Sequence, residues 1–88
     1  MKVKDNFVLR KIAGSHVVVP IGSETADFNG MMTLNETGAM LFGMLNKDRS
    51  IEDLTNAMLS EYDVSAAEAE EDVKAFVETL EKAGMLEQ

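Results

Sequence analysis

Apolar and polar positions change their period along this chain. Between Phe7 and Val19 the branched and aromatic residues fall in two short runs. Phe7-Val8-Leu9-Arg10-Lys11-Ile12 is parted from His16-Val17-Val18-Val19 by Ala13-Gly14-Ser15. Two such runs joined through a glycine predict a β-hairpin. Pro20 cannot donate to a ladder, so it is expected at a strand end or an edge. Gly22 to Gly30, GSETADFNG, is a polar excursion whose glycines mark turns, and Phe28 is expected to anchor it. Met31-Met32-Thr33-Leu34 then reads as a third, short strand.

From Asn35 the period becomes helical. Asn35 suits an N-cap, with Glu36 in the first turn and Leu41, Phe42 and Leu45 on the apolar face. This helix is expected to stop near Asn46. Gly38 and Gly43 each weaken it by roughly 1 kcal/mol relative to Ala, and are expected to allow close packing. Ser50 and Asp53 form a near capping box before Ile51, Leu54, Met58 and Tyr62. Ser65 and Glu68 read as a full box opening the longest helix. Its Ala69, Val73, Phe76, Leu80 and Ala83 form one stripe. Gly84 is placed to end it, with Met85 returning onto Leu80.

Strands grouped before helices predict an α+β fold rather than a wound βαβ sheet. At 88 residues, a single domain over 1–88 is expected. The net charge of −8, from sixteen acids against eight Lys and Arg, repels a phosphate backbone and an anionic membrane. The chain has no cysteine, which excludes disulfides and thiol chemistry. Met1 to Asn6 lacks the apolar core of a signal peptide, so a cytoplasmic protein is expected.

Catalytic chemistry finds little support. His16 is the single histidine and reads as a surface or edge-strand residue, because no motif supplies the partner a general base needs. Glu68, Glu70, Glu71 and Asp72 spread over more than one helix face, so they read as solvated surface rather than a metal site. No phosphate loop or EF-hand pattern occurs. No enzyme activity, cofactor or metal is therefore expected. Seven methionines read mainly as core filler. Met31-Met32 is the exception: neighbours in a strand point to opposite faces, so one of them faces outward.

Taken in order, FVLRKIAGSHVVVPIG, FNGMMTLNETGAMLFGML, SIEDLTNAMLSEYDV and DVKAFVETLEKAGML resemble the PqqD-like family. These are small precursor-peptide recognition elements, named for the pyrroloquinoline quinone pathway. The most specific part is Leu34-Asn35-Glu36-Thr37-Gly38-Ala39 after a short apolar strand. The resemblance implies a winged-helix-like fold, a three-stranded antiparallel sheet followed by a three-helix bundle. It implies a non-enzymatic adaptor that binds the leader of a ribosomally made peptide and presents it to a modifying enzyme, often a radical S-adenosylmethionine enzyme. The leader would join the sheet edge beside the third strand, against the last helix. Here the docking strand would be Met31, Met32, Thr33 and Leu34. Val73 and Val77, with Glu70 and Lys74 further round, would form the groove wall, and Phe76 and Leu80 the core beneath. Pyrroloquinoline quinone synthesis itself is not implied, because PqqD-like proteins serve several peptide pathways.

Two rival readings make different demands. A winged-helix nucleic-acid binder needs a basic recognition helix, whereas the last helix is acidic. An acyl carrier needs an Asp-Ser-Leu type motif. Asp48-Arg49-Ser50-Ile51 carries an extra residue, and Ser50 is explained as an N-cap. An open edge strand also allows a monomer or an edge-paired dimer.

Overall fold

The computed structural model describes residues 1–21 and 32–87. The excursion Gly22 to Gly30, with Phe28, and the first docking residue, Met31, lie outside the described residues. The elements run β1 (Phe7–Ile12), β2 (Ser15–Pro20), β3 (Met32–Leu34), α1 (Glu36–Met44), α2 (Ile51–Glu61) and α3 (Ala66–Lys82). The sheet is antiparallel in the order β1-β2-β3. The expected α+β class, with three strands before three helices, is what the chain adopts.

The hairpin turn is tighter than its sequence indicated. Ser15 already pairs with Ile12, leaving Ala13 and Gly14 as a two-residue link with φ 51° and 84°. Positive φ at both positions is the turn whose twist matches paired strands. His16 was expected at a surface or an edge. It is the second residue of the central strand instead, half-buried, between Lys11 and Leu34. Pro20 ends β2 as expected.

Opposed residues in antiparallel strands share a face. Leu9, Val18 and Met32 therefore stack across the sheet on the core side. Val18 is fully buried, and Leu9 and Met32 pack on the core around it. The helices close this face with Leu41, Leu45, Leu54, Val73 and Leu80, each at most 1% exposed. Burying each such side chain is worth roughly 1.5–3 kcal/mol. Among the described residues no polar or charged side chain is buried, so the core carries no desolvation cost of that kind.

Local chemistry sets the helix ends. Asn35 Oδ1 accepts from Gly38 N–H at 2.8 Å. Ser50 and Asp53 complete a reciprocal box, at 3.0 and 2.9 Å. Ser65 Oγ accepts from Glu68 N–H, but the Glu68 carboxylate accepts from the Ser65 hydroxyl rather than from its backbone N–H. The full box thus sits on α2, not on α3 as expected. At the end of α3, Gly84 N–H reaches Glu81 C=O and Met85 N–H reaches Leu80 C=O, both at 3.0 Å. These two bonds, with Gly84 at φ 72°, make a Schellman ending that folds Met85 into the core beside Leu80. The chain ends also take part: Val3 bridges Leu86, and Val3 N–H donates to Leu45 C=O.

Candidate peptide-binding site

The ladder parity says which backbone groups face outward. Along an antiparallel strand, both polar groups of a residue point to one side, and the side alternates from residue to residue. The two-residue turn makes Ile12 and Ser15 a bonded pair, and Ile21 N–H donates to Asn6 C=O at 2.8 Å. Val17 and Val19 therefore bond toward β1, which leaves His16 and Val18 to bond toward β3. Their partners, Leu34 and Met32, spend their polar groups on β2. Thr33, between them, turns its N–H and C=O to the outer edge, where no described strand lies. Its side chain is exposed on the outer face, while Met32 and Leu34 are half-buried against the core.

This edge runs straight into α1. A Cβ on Gly38 would sit 3.3 Å from Leu34 Cβ, 3.2 Å from Asn35 Oδ1 and 3.4 Å from Phe76 Cε1. The glycine lets strand, cap and last helix meet closely. Gly43 does not act in this way: it is exposed, with open space where its Cβ would stand. Beside the junction lies a cavity of about 380 Å³, lined by Asn35, Thr37, Gly38, Leu41, Met58, Tyr62, Val64, Asp72, Ala75 and Phe76.

The structure divides the residues expected to form the groove wall. Val73 has no exposed surface and Val77 is 8% exposed; both belong to the core. Glu70 and Lys74 are exposed and bonded to each other at 2.7 Å. The Lys74 ammonium holds the Glu70 carboxyl below its ordinary range, first by that hydrogen bond and then by its charge. With 3.6 residues per turn, this pair lies on the opposite flank of the buried stripe from Asp72, Ala75 and Phe76. It is the second flank, through Phe76, that meets Gly38. Phe76, expected beneath the groove as pure core, is half-buried and lines the cavity. Leu80 is fully buried, as expected. The stripe alone does not say which flank faces the sheet.

Among the described residues no group of His, Asp and Glu is arranged to hold a metal ion. No helix among the described residues is long and apolar enough to cross a membrane. The family model of PqqD, described as Coenzyme PQQ synthesis protein D, matches residues 15–86. The chain belongs to the PqqD family. A search of curated proteins finds no match. Two solved structures share the fold. TbiB1 in complex with the TbiA(beta) leader peptide superposes with a TM-score of 0.78 at 23% identity, covering 99% of this chain and 95% of that one. Lasso peptide synthetase B1 complexed with the leader peptide gives 0.75 at 24% identity, covering 96% and 93%. The PqqD match starts at the first residue of β2 and ends at Leu86, so it takes in β2, β3 and all three helices.

Proposed function

We propose that this PqqD-family chain is a non-catalytic adaptor. It takes the leader of a ribosomally synthesised precursor peptide as an added strand on the outer edge of β3. The observation that carries this reading is the outward-turned backbone of Thr33, set next to a cavity walled by Phe76. An unpaired edge supplies register-tolerant main-chain bonds, and an adjacent apolar cavity supplies side-chain preference. The leader peptides bound by TbiB1 and by lasso peptide synthetase B1, which share this fold, support the same use. On this reading Met32, Thr33 and Leu34 form the docking strand, and Asp72, Ala75 and Phe76 the wall. The presented peptide is then modified in the cytoplasm by a separate enzyme, of the radical S-adenosylmethionine class or another.

Proline substitutions separate the two edges of β3. Thr33→Pro removes an N–H that points away from β2, and Met32, just before it, is already extended, as that position requires. This variant should keep the wild-type circular dichroism spectrum and lose at least about tenfold in leader affinity by calorimetry. Met32→Pro removes a bond to Val18 and should loosen the sheet itself. Wild-type leader affinity in a folded Thr33→Pro protein would refute strand addition at this edge.

A further inference from the structure

Among the described residues the sheet has a second open edge, and it differs chemically from the first. By the same parity, Leu9 and Lys11 turn their N–H and C=O away from β2. Along this side of β1 lies a cavity of about 280 Å³, floored by Val3, Phe7, Leu9 and Phe42. Val8 lines it too, although its side chain points to the opposite face from Phe7 and Leu9. A cavity touching both faces of one strand, with no residue of β2 in its lining, lies along that strand's free edge. The arrangement repeats the one at β3: outward-turned backbone groups, here at Leu9 and Lys11, next to an apolar hollow closed by α1.

Charge separates the two edges. Lys4, Arg10 and Lys11 are exposed along β1 and have no ion pair among the described residues, whereas Asp5 is held by Lys2. The α2 and α3 region, Ser50 to Lys82, carries ten carboxylates against Lys74 and Lys82. Both lysines are taken up by Glu70 and Glu78. Of the five Lys and Arg with no ion pair among the described residues, three lie on or next to β1 and the other two, Lys47 and Arg49, between α1 and α2. A chain of net charge −8 therefore gathers most of its unpaired cations beside the β1 edge, with Ile12 48% exposed at the end of the strand. Such a strip attracts an acidic segment and repels a second β1 edge, because like charges set opposite each other are unfavourable.

We propose that the β1 edge is a second strand-addition site, and that its occupant is an acidic extended segment of the partner enzyme. The docking chemistry stands on β1 alone; that the partner is the enzyme receiving the peptide rests on the leader-binding reading. An adaptor with one edge for each partner holds the leader on β3 while the enzyme segment lies on β1, with β2 between them.

The test uses the full chain and two short synthetic strand peptides, one alternating Glu with Val and one alternating Lys with Val. In backbone NMR titrations at low salt, the Glu peptide should shift Leu9 to Ile12 and Phe42. It should weaken steeply as salt is added, and the Lys peptide should leave β1 unmoved. Arg10→Glu with Lys11→Glu, both exposed positions, should lower Glu-peptide affinity by about tenfold or more while leader binding at β3 stays unchanged. The proposal is overturned if the Glu peptide leaves β1 unshifted, if it moves β3 and Phe76 instead, or if both peptides bind β1 equally. Leader binding is scored separately at Thr33, so either site can fail without the other.

Discussion

Single residues carry much of the geometry, and several can be tested one at a time. Ala13 sits at φ 51° in a turn that suits Asn or Gly, and an L-residue whose side chain cannot hydrogen-bond to the local backbone is strained there. Ala13→Asn should raise stability by about 0.5–1 kcal/mol, read from denaturant midpoints at an unchanged slope. The two helical glycines of α1 should respond oppositely to alanine. At Gly43 a methyl group meets open space, so Gly43→Ala should gain about 0.5–1 kcal/mol of helix propensity. At Gly38 the methyl meets Leu34, Asn35 and Phe76 at 3.2–3.4 Å. Gly38→Ala should show no such gain in thermal melts and should weaken leader binding, because the junction must open to admit it. Sequence alone placed both glycines in a helix interior; only the fold shows which one has neighbours.

At the scale of elements, the legible features were those fixed by nearby residues. Asn35, Ser50 and Ser65 cap the helices they were expected to open, because a side-chain oxygen meets the exposed N–H groups within three positions. The Gly84 ending was legible for the same reason: its bonds close within five residues. What the sequence did not reveal depends on distant contacts. His16 was read at a surface or an edge because a strand's neighbours are set by pairing, and Leu34 lies eighteen positions further on. The N-terminal residues looked featureless, yet Val3 closes the core against Leu45 and Leu86. On α3 the stripe located the buried face but did not distinguish its two flanks: Glu70 and Lys74 were expected at the groove wall and Phe76 in the core, whereas Phe76 lines the cavity beside Gly38. The last helix also bears on the nucleic-acid alternative. Its only cations, Lys74 and Lys82, are already paired with Glu70 and Glu78 respectively, and its remaining exposed charges are carboxylates. A gel-shift assay at low salt should show no retained DNA; a retained band that fades with added salt would revive that reading.

At the scale of the whole molecule, the sheet offers two open edges under one core, one flanked by acidic helices and the other by unpaired cations. An exposed edge is ordinarily an aggregation risk. Here β3 is short and tied at once to a capped helix, which fixes it in place while Thr33 stays open to a partner. The central claim is that a peptide backbone pairs with that edge. The most direct measurement is amide hydrogen exchange at Thr33, with and without a candidate leader peptide drawn from the reading frames beside this gene. Strand addition predicts that the Thr33 amide, free in the unbound chain, becomes strongly protected on binding, while Met32 and Leu34, already bonded to β2, change little. A leader that binds tightly and leaves Thr33 exchanging at its free rate would contradict the account.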